Sequence, residues 1–171
     1  MNDEHMIEDF ILKRGRDHQN ILDVGCGDGE LLIEIAKRNG IAELYCVDTS
    51  IEYARNNIER KGYGSRIKCV DAKAENIPLE SHSFDFIFSV RSLHEFSNPV
   101  KVLKEIKRLL SLYGEVIIVD WKKGTNTGVE ERYYGKEELK QFIKKSRFNV
   151  HNIKIEESGR FNIISYSEKQ S

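Results

Sequence analysis

The stretch ILDVGCGDGELL, residues 21–32, decides the fold. Its first four residues form an apolar run that stops at Gly25. From Glu30 to Arg38 the residues Leu31, Leu32, Ile35 and Ala36 then recur at helical spacing. The run reads as a strand covered on both faces and the spacing after it as an amphipathic helix. Between them, Gly25, Gly27 and Gly29 let the backbone turn sharply and come close to a ligand. The first amides of such a helix favour a negative group. In open α/β sheets the ligand lies beyond the carboxyl ends of the strands, near the point where the strand order reverses. The loop is therefore placed to hold a nucleotide or nucleoside.

The same alternation continues outward. Further strands are expected at Leu44–Val47, Ile67–Val70, Phe84–Val90 and Glu115–Asp120. Ser50 can cap a helix running to about Lys61. Asn98-Pro99 starts another, which carries Val100, Leu103, Ile106, Leu109 and Leu110. Lys136 to Lys145 forms a helix with Leu139, Phe142 and Ile143 inward. Two closing strands, Val150–Ile155 and Phe161–Ser165, are separated only by Glu156–Arg160, too few residues for a crossover helix, so they form an antiparallel hairpin. The pattern predicts an α/β fold, doubly wound and mostly parallel, ending in that hairpin. Residues 1–171 read as a single domain. Within it, 1–18 form an N-terminal helix with Ile7, Phe10 and Ile11 on one face, and 19–171 form the core.

Composition narrows the function classes. A net charge of −1 gives no general attraction to polyanions, so nucleic acid is not indicated as a partner. No apolar run approaches the ~20 residues of a bilayer span, so no membrane insertion is expected. The acidic N-terminus is unlike a signal peptide, which makes the cytoplasm the expected location. Cys26, Cys46 and Cys69 are odd in number and lack metal-ligand spacing, so the expectation is three reduced, buried thiols and no metal.

Acidic residues follow the glycine loop in a telling order. Asp48 ends the second strand, and a carboxylate there can accept both hydroxyls of a ribose. Asp71 ends the third strand, where it can accept from an exocyclic amine, or cap a turn. Asp23 precedes the loop, so the ligand should carry positive charge. The dinucleotide fingerprint GxGxxG is not met: the third glycine comes one place early, and Asp28 and Glu30 would repel a pyrophosphate.

These residues resemble the class I S-adenosylmethionine (SAM)-dependent methyltransferases, in particular the ubiquinone/menaquinone-biosynthesis-like "type 11" group. ILDVGCGDG resembles the family's first motif, YCVDTS (45–50) its second and DAKAENIPL (71–79) the adenine-side stretch. SFDFIFSVRSLHEF (83–96) resembles strand four with its active-site loop. The resemblance implies a Rossmann-like seven-stranded sheet with an antiparallel last strand, and SAM as cofactor. Its cofactor-binding candidates are Gly25, Cys26, Gly27 and Gly29 around the methionine part and Asp23 orienting that end. Asp48 and Thr49 would lie at the ribose, Asp71 and Ala72 by the adenine, and the Ser89 backbone near the methionine amino group.

The substrate side departs from the pattern. The loop after strand four carries His94-Glu95 where the family often has a histidine pair. A proline-glycine-glycine turn is replaced by Leu112-Tyr113-Gly114. The catalytic candidates are His94, as general base, and Arg91, with Glu95, Trp121 and Lys122 also beyond the ends of strands four and five. Trp121 either walls the acceptor pocket or packs, and Arg132, Tyr133 and Tyr134 either reach the pocket mouth or a partner or, the favoured reading, form a solvated loop. Cover for the substrate must come from the first helix, the segment after Trp121, or a second subunit in a homodimer. A small-molecule acceptor is expected. The alternatives are an RNA or protein methyltransferase docking through Lys136, Lys140, Lys144, Lys145 and Arg147, and a SAM-binding module without catalysis.

Overall fold

A computed structural model describes residues 3–167. Residues 1–2 and 168–171 of the expected domain lie outside the described residues. The strands are β1 (Asn20–Val24), β2 (Glu43–Asp48), β3 (Ile67–Asp71), β4 (Phe84–Val90), β5 (Leu110–Trp121), β6 (Ile153–Ser158) and β7 (Phe161–Ser167). The helices are α1 (Asp3–Arg14), α2 (Glu30–Arg38), α3 (Ile51–Arg60), α4 (Pro99–Leu109) and α5 (Lys136–Ser146). One seven-stranded sheet runs β3-β2-β1-β4-β5-β7-β6. The pairs from β3 to β5 are parallel, whereas β5–β7 and β6–β7 are antiparallel, as the short connection between the last two strands requires.

Side-chain alternation on the strands divides the core in two. On one face Ile21, Phe86, Phe88 and Ile117 pack with Ile7 and Ile11 of α1 and with residues of α2 and α3. On the other, Leu22, Ile87 and Ile118 pack with Leu103 and Ile106 of α4 and Leu139 and Ile143 of α5. The strand order reverses beside β1, so the chain leaves β1 and β4 toward opposite neighbours and a crevice opens between their carboxyl ends.

Several local expectations are corrected. Leu110 leaves the helix and opens β5, which starts before the predicted Glu115; a register shift opposite Phe84 and Phe86 and a left-handed Tyr113 accommodate the extra residues. Residues 150–152 form a 3₁₀ turn, and the strand begins at Ile153. Ser50 stands at the α3 cap without a side-chain cap bond; the Tyr53 amide donates to the Ser50 carbonyl at 3.1 Å instead, and the Ser50 amide itself donates to Asp48 Oδ1. Asn98 caps α4 as expected, its side chain accepting from the Lys101 amide. Cys26 and Cys46 are not free thiols: parallel β1 and β2 bring their Cα atoms to 5.7 Å and the sulfurs are joined as a disulfide. Cys69, one strand further out, is free.

Candidate active site

A cleft of about 800 Å³ lies at the carboxyl ends of β1, β2 and β4. Asp23, Gly25, Cys26, Gly27, Asp48, Thr49, Ala72 and Arg91 are on its wall. Gly29, Asp71, Ser89 and His94 are not. The adenine-side stretch reaches the wall through Ala72, Lys73, Ala74 and Glu75 instead of through Asp71. The sequence reading missed Glu8 and Leu12 of α1, and Ser92, Phe96 and Ser97 of the loop after β4. Ser92 and Phe96 lie within the quoted active-site stretch 83–96, although nothing there singled them out, whereas only the way α1 packs brings Glu8 and Leu12 to the cleft.

The glycine loop is held by its neighbours. The amides of Gly25 and Cys26 both donate to the Val47 carbonyl, at 2.8 and 3.2 Å, which ties the loop to β2. Gly25 has φ +76°, and a Cβ there would lie 2.7 Å from Cβ of Ser92. Ser92 in turn donates its hydroxyl to the Gly25 carbonyl at 2.9 Å. Gly27, at φ +57°, has open space where a Cβ would stand, so its bare backbone borders the cleft. Its amide donates to Asp48 Oδ2 at 3.0 Å, while the Ser50 amide donates to Oδ1 at 2.8 Å. Asp48 is therefore fixed in place by one bond to each oxygen and retains acceptor capacity for a ligand. Gly29 serves packing: a Cβ would meet Ile58 of α3 at 2.8 Å.

Asp23 is 3% exposed, and among the described residues its carboxyl has no hydrogen-bond or ion-pair partner. Burial pushes its pKa well above the usual carboxylate range, and the charges of Asp48 and Asp28 push it further. Other carboxylates on the wall include Glu8, Asp28, Glu34 and Glu95, against the cations Lys73 and Arg91. A buried acid short of a cation, a ribose-height acid fixed on two amides and a bare glycine backbone fit SAM, whose sulfonium and ammonium are both positive. They do not fit a dinucleotide.

The far side of the cleft is built by the loop after β4. Arg91 holds a left-handed φ of 58° with its amide bonded to the Val119 carbonyl at 2.7 Å, which aims its side chain toward α1. Glu4 of α1 accepts from Arg91 at 3.3 Å and from Arg160 at 3.1 Å. His94 is turned behind the wall. Its Nδ1 lies 2.6 Å from Asp120 Oδ1, its backbone amide donates to Asp120 Oδ2 at 2.8 Å, and Tyr133 packs edge-on against the ring. Burial opposes charge on this ring, but the hydrogen bond and charge of Asp120, with Glu131 and Glu95, hold its pKa above the ordinary value. Asp120 went unread in the sequence; the signal available was an acid closing the apolar run of a central strand.

Trp121 packs rather than walls the pocket, stacked on Phe161 with Arg160 over its face. Lys122 is drawn away toward Glu157. Tyr133 and Tyr134 are buried, which corrects the expectation of a solvated loop, and only Arg132 is exposed.

A model of the methyltransferase-domain family matches residues 16–166. The chain belongs to that family, within the class I SAM-dependent methyltransferases. The ubiquinone/menaquinone biosynthesis C-methyltransferase UbiE of Hahella chejuensis is 28% identical over 118 residues, 67% of this chain and 47% of that protein. The sarcosine/dimethylglycine N-methyltransferase of Aphanothece halophytica is 29% identical over 103 residues, 58% of this chain and 37% of that one. The crystal structure of a SAM-dependent methyltransferase from Aquifex aeolicus superimposes with a TM-score of 0.74 at 26% identity, covering 97% of this chain and 88% of that one. The chain spans about half the length, or less, of several curated relatives that it matches. Relatives named for C- and for N-methylation both match, so the likeness defines the family and not the ubiquinone/menaquinone group within it. Among the described residues no helix is long and apolar enough to cross a membrane.

Proposed function

We propose that this chain transfers a methyl group from SAM to a small-molecule acceptor bound between α1 and the loop after β4. The observation that carries the reading is Asp48, held on the Gly27 and Ser50 amides at the mouth of the glycine loop. In this reading Asp48 takes the ribose hydroxyls, Thr49 stands beside them, and Ala72 and Lys73 border the adenine. The backbone from Gly25 to Gly27 passes along the methionine part, whose positive end Asp23 receives. SAM supplies a methyl carbon already activated by positive sulfur. What the protein adds is alignment of donor and acceptor and exclusion of water, which can supply much of the rate.

Arg91 and Glu95 are the charged groups that meet the acceptor. Glu95 can hold a proton taken from it, and His94, 3.8 Å from Glu95, acts through that carboxylate and not on the acceptor directly. The resemblance to the ubiquinone/menaquinone-like group supports a small organic acceptor. The acidic wall disfavours the RNA reading, because it would repel a phosphate backbone approaching the cleft. Calorimetry with SAM and S-adenosylhomocysteine tests the cofactor assignment: micromolar-range binding, ~8 kcal/mol, is expected in the wild type. In Asp48→Ala it should weaken ~100-fold or more, the ~3 kcal/mol of hydrogen bonds to a charged group. Undiminished affinity would end the assignment. An acceptor screen with labelled SAM then separates a methyltransferase from a binding module.

A further inference from the structure

Where the loop after β4 meets the cleft wall lies a cluster whose full donor set the proton-transfer reading does not call on, since Glu131 and Asp120 have no part in it. His94, Glu95 and Glu131 each offer one donor atom, and these atoms all lie within 4.8 Å of one another. Nε2 of His94 is 3.2 Å from Glu131 Oε2 and 3.8 Å from Glu95 Oε1. The imidazole is only 4% exposed, and its other nitrogen is committed to Asp120 at 2.6 Å. A neutral ring that donates from Nδ1 turns the lone pair of Nε2 toward two carboxylates. Acceptors facing one another across such a distance need an electrophile between them.

Charge decides what kind. Among the described residues, Asp120, Glu95 and Glu131 have no lysine or arginine partner; their ion pairs all run to His94. Tyr133 gives Glu131 a hydroxyl hydrogen bond at 2.8 Å, but no charge. One proton on the ring would leave three carboxylates around a single positive charge, two of them at a buried imidazole. A divalent ion balances the set better. We propose that His94, Glu95 and Glu131 form a divalent-cation site on the acceptor side of the cleft, with Asp120 as the carboxylate that orients the imidazole.

Metal-binding histidines commonly donate their second ring N–H to a carboxylate, which fixes the tautomer and raises the basicity of the ligating nitrogen. The Asp120–His94 pair has that form. One imidazole nitrogen with two carboxylate oxygens suits the borderline ions Co²⁺ and Zn²⁺, and the harder but imidazole-tolerant Mn²⁺, better than the all-oxygen ions Mg²⁺ and Ca²⁺. Donors ~2.0–2.2 Å from an ion stand ~3–3.5 Å from one another. His94 and Glu131 already have that separation. Glu95, whose side chain is 65% exposed, has to swing inward by about an ångström to match it. Glu95 also lines the cleft, so an ion held here would border the acceptor chamber, and an acceptor bearing an oxygen or nitrogen ligand could reach it. The site itself does not depend on the methyltransferase reading; only its use by an acceptor does.

Titration of the full chain with Mn²⁺ at pH 7.5 in a non-chelating buffer, read by loss of the free-ion electron paramagnetic resonance signal, tests the site. One equivalent should bind. Glu131→Gln and His94→Gln should weaken it about 100-fold, and Asp120→Asn about 10- to 100-fold. Asp48→Ala should leave Mn²⁺ binding intact while losing S-adenosylhomocysteine, so that failure of the metal site and failure of the cofactor assignment are told apart. S-adenosylhomocysteine binding by the metal-site variants shows that they are folded; should His94→Gln misfold, Glu131→Gln, on an exposed residue, still decides. The proposal is overturned if neither Mn²⁺, Co²⁺ nor Zn²⁺ binds stoichiometrically, or if Glu131→Gln binds as the wild type does. A His94 ring that carries protons on both nitrogens in the presence of saturating ion, by ¹⁵N resonance, would likewise overturn it and leave an imidazolium clamp.

Discussion

Replacing Asp23 with asparagine should make the protein more stable and its cofactor weaker at one and the same pH. In the folded chain this carboxyl is buried, unpartnered among the described residues, and close to Asp48 and Asp28, so its pKa stands well above the usual range. A carboxyl with a raised folded pKa contributes its stability fully below its ordinary pKa of ~3.9, and the contribution is lost as pH climbs through the raised value. At pH 7.5 the wild type bears the cost of an ionised or reluctantly protonated buried acid, which asparagine removes. Asparagine leaves a neutral polar group in the same place, so the gain is only the extra cost of the buried charge, or of the proton that suppresses it, on the order of 2 kcal/mol. At ~2 kcal/mol, a domain of this size should gain roughly 4–8 °C in Tm. The gain should shrink as pH falls and approach zero at about pH 3, below the ordinary pKa, where the wild-type carboxyl is protonated in both states. The cofactor should respond in the opposite direction. Loss of a hydrogen bond to a charged group, ~1.5–3 kcal/mol, corresponds to ~10- to 150-fold weaker SAM binding. The cation should favour the ionised form of Asp23, so SAM affinity in the wild type should rise with pH through the raised pKa, and the variant should lack that dependence. A Tm at or below wild type at pH 7.5, together with unchanged SAM affinity, would refute both the burial argument and the placement of the cation.

Three further outcomes follow from other parts of the fold. Burial works against charge on His18, but Asp85 and Glu115 outweigh it and raise its pKa to about 9. Its stabilising contribution should therefore be complete below pH ~6.5 and fade as pH rises through about 9. Urea unfolding of wild type against His18→Gln should show a gap of about 2–3 kcal/mol at pH 6 that narrows by pH 10. Gly25→Ala forces a side chain into φ +76° and against Ser92, so a cost of at least ~1–3 kcal/mol and loss of S-adenosylhomocysteine binding are expected by thermal shift and calorimetry. Asn98→Ala removes the cap on the Lys101 amide and should lower Tm by about 2–4 °C, the equivalent of ~1 kcal/mol, with cofactor affinity unchanged.

The sheet was legible because its information is local. Short apolar runs, glycine turns and helical spacing each report on a few consecutive residues, and they place every strand to within a few positions. Errors came where one residue answers to a distant partner. Leu110 continues the helical spacing of α4 but is claimed by β5 through its pairing with Phe84. Ser50 has the chemistry of a cap, yet the Tyr53 amide goes to its backbone carbonyl and its own amide to Asp48. The cofactor side of the site shared this legibility, since its glycines and Asp48 are consecutive with strand ends. The acceptor side did not. His94 is aimed by Asp120, 26 residues away, and Tyr133 closes over it from a loop that reads as solvated. Cys26 and Cys46 look like separate buried thiols until parallel pairing sets Asp23 against Cys46 and brings the loop beside it.

The two ends of α1 are secured by different mixtures of forces. Near Gly15 grease does most of the anchoring, with Ile7, Ile11 and Leu12 sunk into the core and Arg14 paired to Glu115 at 2.9 Å beside them. At the opposite end it is moored by ions, with Glu4 strung between Arg91 and Arg160. Salt loosens the mooring more than the anchor. The start of α1 is thus tied beside the cleft by charge, and a ligand that offered Arg91 a better anion than Glu4 would compete for that tie.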